Sequence, residues 1–296
     1  MSNFSPSDAA LEGFRLTRER PGTILAWAGV YFAGIMLMAL VMVIGIGPKF
    51  IAFIKDGGLQ SGDTEAFGTL LAQSWPAFLV VLAAAVFLLS ILTAGIYRLV
   101  LRPKEPGFAH LKLGADEVRL ALIHLILFAI GMVFLVAIDL VVGIGRSADG
   151  GGAVLMSLLG LILAVLMVWV GVRLSLATPM TFAEHHLSLA AAWRLTRGRF
   201  WRLFGMIMLA VIFYVMIWML ISIIAVLFIT LAGGAEAVQN LGAHSSPVAL
   251  IAFAVTFFIQ LLLPILQVVM IYSPFAVAYE KLIAPEPAPA EAVIEA

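Results

Sequence analysis

The chain has 296 residues, 63% of them hydrophobic and only 11% charged, and its formal net charge is zero. Ordinary soluble domains carry about 25% charged residues, so a water-solvated globule is excluded, and no global basic field points to nucleic acid. The absence of cysteine excludes disulfides and thiolate metal sites and leaves the redox compartment undetermined.

The first 22 residues read as a cytoplasmic amphipathic arm. They are not a signal peptide, because Asp8, Glu12 and Glu19 interrupt them and no apolar core is present. "SPSDAALEGFRLTRER" opens with a Ser/Asp cap signal. On a helix it puts Ala10, Leu11 and Phe14 on one side, and it carries Arg15, Arg18 and Arg20 before Pro21-Gly22.

Six apolar runs follow, at about 23–46, 74–97, 120–144, 153–178, 203–231 and 247–282. Roughly 20 apolar residues at 1.5 Å rise cross the hydrocarbon core, so every run is long enough. The predicted fold is all-α: a polytopic membrane protein with six transmembrane helices in one membrane domain, residues 23–283. A β-barrel would need short alternating strands, and nothing alternates. The last run is too long to be straight, and Pro264 and Pro274 offer two kinks. "KFIAFIKDGG", within Lys49–Gly68, reads as a short interfacial helix before a Gly-rich turn. The Pro/Ala/Glu-rich residues 284–296 read as a disordered tail.

Lys49, Lys55 and Arg146 lie on one side of this layout, and every other Lys and Arg lies on the opposite side. By the positive-inside rule, both termini are expected in the cytoplasm, as in a multi-pass protein of the bacterial inner membrane. The basic side also holds two longer segments. In "TFAEHHLSLAAAWRLTRGRFWR", Thr181–Arg202, helical spacing puts Phe182, Leu189, Trp193 and Phe200 on one face. Glu184, Ser188, Arg199 and Arg202 fall opposite, and Gly198 marks a bend. That pattern predicts an amphipathic interfacial helix. In "GFAHLKLGADEVRLAL", Phe108, Leu111, Ala115 and Val118 share a face while Asp116 and Glu117 point elsewhere. "FRLTRER" at Phe14–Arg20 and "WRLTRGR" at Trp193–Arg199 are nearly the same phrase, each directly before a span. Together these features suggest three parallel units of interfacial segment, span, short turn and span.

Few residues carry candidate chemistry. Glu184, His185 and His186 form the acidic/His cluster, but adjacent helical positions diverge by about 100° and lack zincin spacing. Glu184 is expected to pair with an Arg. Asp139 is the carboxylate inside a span, a costly placement, and Arg146 two turns on is its expected partner. Gln260 and Gln267 share a face of the sixth span around Pro264, a pattern used for interhelical hydrogen bonding or for a pathway. His124 reads as an interfacial histidine. The Arg clusters fix topology and bind anionic lipid at about 1 kcal/mol per basic residue.

Residues Gly171–Gly205, "GVRLSLATPMTFAEHHLSLAAAWRLTRGRFWRLFG", resemble a bacterial integral-membrane family known as the glycerophosphoryl diester phosphodiesterase membrane domain, with YciC-like relatives. The likeness rests on Arg173, Pro179, Glu184 and the Ala-x-Arg-Leu-Thr-Arg-Gly-x-Phe-Trp stretch. It implies a six-span inner-membrane protein with interfacial helices. The family's name comes from members with an attached soluble metal-dependent phosphodiesterase domain. No such segment occurs in these 296 residues, so that activity is not expected.

The expected function is therefore non-enzymatic support of envelope or lipid organisation, with no cofactor and no metal. Membrane phospholipids, anionic ones in particular, are the expected partners. A homo-oligomer or membrane-protein partner stays open. The lipid-facing candidates are Phe14, Arg15, Arg18, Arg20, Arg173, Glu184, Trp193, Arg194, Arg197, Arg199, Trp201 and Arg202. The alternatives are a transporter or lipid-moving protein built around Asp139, Gln260 and Gln267, and a phospholipid enzyme using Glu184, His185 and His186.

Overall fold

The apolar runs become helices that continue past the apolar stretch into polar sequence. In the computed structural model, which describes residues 5–55, 64–105, 107–147, 150–236 and 246–283, the order is as follows. The arm forms α1 (Pro6–Ala10) and α2 (Glu12–Glu19). Two long helices come next, α3 (Pro21–Lys55) and α4 (Thr64–Leu101). A 3-10 turn at Phe108–His110 precedes α5 (Ala115–Arg146) and α6 (Gly151–Leu174). Two short helices, α7 (Ala177–Glu184) and α8 (Leu189–Leu195), lead into α9 (Phe200–Leu231) and α10 (Pro247–Ile283). No strand occurs among the described residues, and six helices are long and apolar enough to cross a membrane. The protein is an all-α polytopic membrane protein.

Consecutive long helices pair as α3/α4, α5/α6 and α9/α10, and α4 also packs on α5 and α10. Small residues permit close approach: a Cβ on Gly45 of α3 would lie 2.6 Å from the Ala77 Cβ of α4. Buried side chains concentrate at the basic end, where Trp27, Leu92, Tyr97, Leu120, Phe182, Ile265 and Ala276 share one core. Towards the opposite end, residues such as Val43, Val133, Leu140 and Ile223 are exposed, as suits a surface facing lipid tails.

Several expectations are corrected. Lys49–Lys55 is no separate interfacial helix but the last turns of α3, which runs through Pro48. At ~1.5 Å per residue, a helix of 35 residues outreaches a hydrocarbon core of about 30 Å, so its end stands in polar surroundings without a break. α10 is also one continuous helix that contains Pro264 and Pro274, the two positions expected to kink it, and next to the second proline the Ser273 hydroxyl donates to the Val269 carbonyl at 2.6 Å. The expected tail, 284–296, and the Gly-rich turn at 56–63 lie outside the described residues.

The arm does not lie flat. Ser5 caps α1 as expected, accepting from the Asp8 amide at 3.4 Å. The buried face, however, is Ala9, Ala10, Gly13 and Leu16, while Leu11 and Phe14 are exposed. Ala9 packs with Val172, Leu203, Met206 and Ala278, so the arm wedges against α9 and α10. Small residues win because they let the arm's backbone reach the spans. Phe14 stays at the rim, edge-on to Phe213 at 5.4 Å.

Residues 107–122 do not form one amphipathic helix. Ala109 and His110 have φ of 49° and 59°, Leu111 is extended, and helix resumes only after Gly114. Phe108 and Val118 are exposed while Glu117 is completely buried, the reverse of the amphipathic reading. Thr181–Arg202 also divides. His185, at φ 59°, ends α7 in the left-handed region, and α8 begins only at Leu189. Ala177–Phe182 is buried throughout, so α7 is a core element and Phe182 does not share an immersed face with Trp193. The bend at Gly198 is as expected, with φ 77°, a conformation open to glycine without a Cβ penalty.

Candidate functional site

The cations of the basic end fall into two populations. In the first, each finds an anion. Arg98 of α4 donates through Nη2 to the Glu117 Oε1 of α5 and through Nη1 to the His110 carbonyl at 3.2 Å. Its guanidinium lies 5.6 Å from the Phe182 ring centre. Glu105 takes Lys112 at 3.1 Å and Arg102 at 3.4 Å, and the Lys112 hydrogen bond holds its carboxyl below the usual range. Arg102 also reaches His185 Nε2 at 3.1 Å, and His185 Nδ1 sits 2.8 Å from Asp116, which pairs in turn with Arg119 at 2.8 Å. Arg can only donate, so Nε2 accepts and the imidazole proton sits on Nδ1, facing Asp116. This network ties α4, the 105–119 segment and α7 together. Beneath it, Tyr97 hydrogen-bonds Thr178 at 2.6 Å, and His124 meets Ser90 at 3.0 Å with Tyr272 edge-on.

The second population has no anion. Arg18, Arg20, Arg173, Arg194, Arg197 and Arg202 make no ion pair among the described residues, and Arg199 donates only to the Leu195 carbonyl at 3.3 Å. In the arm, Arg15 is the exception. It pairs with the buried Glu12 at 2.6 Å, which raises the Arg15 pKa. Most of the unpaired cations lie on or beside the α8–α9 turn, from Arg194 at the end of α8 to Arg202 in the first turn of α9, near Trp201, which is 78% exposed. The two RLTR phrases thus differ. In the arm, the Thr17 hydroxyl donates back to Gly13 of its own helix at 2.8 Å. In the turn, the buried Thr196 hydroxyl lies 2.9 Å from both the Ala192 and the Arg173 carbonyls, which fastens α8 to the end of α6. Thr196→Val keeps the shape and loses the donor, so it should cost about 1 kcal/mol in thermal unfolding of the purified chain. Thr196→Ser should stay close to wild type.

Arg173 itself is only 7% exposed. Its guanidinium lies 4.8 Å from the Trp193 ring centre and 5.9 Å from that of Trp169. Its Nε is buried without a hydrogen-bond partner.

Glu184 does not pair with an Arg. It accepts from Ser188 at 2.8 Å, with His186 at 3.3 Å and Tyr279 at 3.5 Å. The left-handed turn at His185 brings Ser188 back onto Glu184, while Arg102 is already engaged by Glu105 and His185. His185 is directed to Asp116 and Arg102, so Glu184, His185 and His186 do not converge, and no group of three possible metal ligands exists among the described residues.

Nor do the intramembrane polar residues gather. Asp139 is exposed on α5 and makes no ion pair with Arg146 among the described residues. Gln260 lines a 320 Å³ groove between α3 and α10 with Tyr31, Phe32 and Pro264. Gln267 accepts instead from Tyr214 of α9 at 3.4 Å. A separate apolar cavity of 420 Å³ lies between α5, α6 and α10, with Ser175, Thr178 and Tyr272 as its polar lining.

The Arg98–Glu117 pair escaped the sequence reading. The available signal was a Glu in the first turn of a helix immediately before an apolar run, which the helix dipole alone explains. Neither a family model, nor a curated protein, nor a solved structure matches this chain.

Proposed function

We propose that this protein is a non-enzymatic component of the bacterial cytoplasmic membrane that supports lipid or envelope organisation by holding anionic phospholipid at its basic end. The observation that carries the reading is the uneven pairing of its cations. Arg98, Arg102, Lys112 and Arg119 are neutralised internally, whereas Arg194, Arg197 and Arg202, on and around the α8–α9 turn, have no carboxylate partner among the described residues. Topology alone requires positive charge near the spans. It does not require carboxylates to be absent from one cluster and abundant in the other. The likeness of residues 171–205 to the glycerophosphoryl diester phosphodiesterase membrane domain supports the same compartment, and the Lys/Arg asymmetry supports both termini in the cytoplasm. The scattered positions of Asp139, Gln260 and Gln267 give a transport pathway no common site.

The reading is tested by lipid preference. Full-length protein in vesicles of mixed phosphatidylglycerol and phosphatidylcholine should retain an excess of phosphatidylglycerol on extraction. Changing Arg194, Arg197, Arg199 and Arg202 together to Gln should remove most of that excess, at about 1 kcal/mol per charge before screening. The same count of changes at Arg98, Arg102, Lys112 and Arg119 should alter stability rather than lipid preference. Equal lipid profiles for wild type and the turn variant would end the proposal.

A further inference from the structure

Arg173 is a cation without a counter-ion in a place where that is costly. It is the last basic residue of α6, 7% exposed, and no described carboxylate or carbonyl accepts from its guanidinium. Buried charges are ordinarily paired or bound to a ligand, because desolvation is otherwise uncompensated. Arg98, equally buried, shows the ordinary solution in the same protein with Glu117 and the His110 carbonyl.

What surrounds Arg173 defines what is missing. Trp193 and Trp169 stand edge-to-face with ring centres 5.2 Å apart, and the guanidinium lies against both. Cation–π contact fixes the group and stabilises its charge, but it gives the guanidinium N–H donors no hydrogen-bond acceptor, and none of the described residues supplies one. Those donors match an oxyanion that offers two or more oxygens in one plane. The segment around the α8–α9 turn, fastened to this spot by Thr196, carries Arg194 and Arg197, exposed and without an ion pair among the described residues, as a looser cationic surface outside the buried group. The position is the basic end of a span, and basic side chains flanking a span lie near the level at which a bilayer presents its phosphates.

We infer that Arg173, held against the touching Trp169 and Trp193 rings beside the Arg194–Arg199 segment, is the recognition point for a single phosphate group. The inference rests on the lipid-holding reading and sharpens it from a charged surface to one built site. The phosphate belongs either to a phospholipid headgroup or to a free phosphate ion, since both present the same oxygens.

The test uses the full chain in phospholipid-free detergent, with native mass spectrometry to count bound molecules. The probes are phosphatidylglycerol, a glucosyl diacylglycerol that lacks phosphate, and inorganic phosphate. Wild type should keep one phosphatidylglycerol after looser adducts are stripped, and should not keep the glycolipid. If inorganic phosphate competes for that adduct at millimolar concentration, the ligand is free phosphate; if it does not, the ligand is the lipid headgroup. R173K keeps the charge but not the stacked planar fork, and should weaken the retained adduct about tenfold. R173Q should abolish it, and if R173Q does not fold, R173K decides alone. The variant with Arg194, Arg197, Arg199 and Arg202 changed to Gln should lose the loose adducts and keep the tight one. Loss of loose adducts with unchanged tight binding in R173K would overturn the Arg173 site while leaving the surface reading intact. Equal retention of the glycolipid by wild type would also overturn the site.

Discussion

Arg98→Ala lowers the stability of the full chain by about 3–5 kcal/mol, and Glu117→Ala does so by a similar amount. Glu117 is wholly buried, and Arg98 supplies its only cationic partner among the described residues, while Glu117 Oε2 has no partner at all. Truncating Arg98 strands the buried Glu117 carboxylate, and truncating Glu117 leaves the buried Arg98 with only the His110 carbonyl and a distant Glu105 at 3.9 Å among the described residues. The attraction between the two charges mostly offsets their desolvation and adds little beyond it. Replacing both, as Arg98→Met with Glu117→Leu, should therefore recover most of the loss. Unfolding in mixed micelles, followed for the two single variants and the double variant, checks this. A double variant as unstable as the singles would show that the pair contributes more than a cancelled cost, through the Arg98 bonds to His110 and the Phe182 face.

Gly13→Leu should release the amino-terminal arm from the spans at a cost of about 1–3 kcal/mol, the usual range for overpacking. A Cβ at Gly13 would lie 2.7 Å from the Met270 sulfur and 2.9 Å from the Met270 Cα. The sulfur can swing aside, but the backbone of α10 cannot, so the helix carrying Gly13 must lift. The six-span bundle does not depend on this contact, and limited proteolysis should remove the arm from the variant while the rest stays protected. Gly22→Ala is the matched control, because a Cβ there meets nothing within 4 Å. If both variants are cut alike, the arm is not held by its contact at Met270.

How much of this was legible in the sequence follows from which forces act locally. The lipid core demands a fixed length of continuous apolar helix, so the runs at 203–231 and 247–282 correspond closely to α9 and α10. Where helix outlasts the apolar stretch, as at Lys49–Lys55, hydropathy carries no signal. The amphipathic readings failed for a related reason. Periodicity identifies an apolar face but not what covers it, so Phe182 reads as a lipid anchor when α7 is in fact core, and Glu117 reads as solvated when Arg98 waits 19 positions upstream. The Arg-rich turn was legible as charge. That its cations lack carboxylate partners among the described residues was not, because pairing depends on which segments meet.

The arm's place against α9 and α10 has a consequence for how the chain is assembled. Ala9 and Gly13 contact residues between Val172 and Ala278, so the arm, made before the spans, finds its seat only when the α9/α10 hairpin is inserted. Domains generally take shape from the amino terminus as synthesis proceeds, and here the opening residues must wait through four intervening spans. The arm is therefore a closing clasp. It joins α9 and α10 to the stretch before α3 and reports that this hairpin is in place.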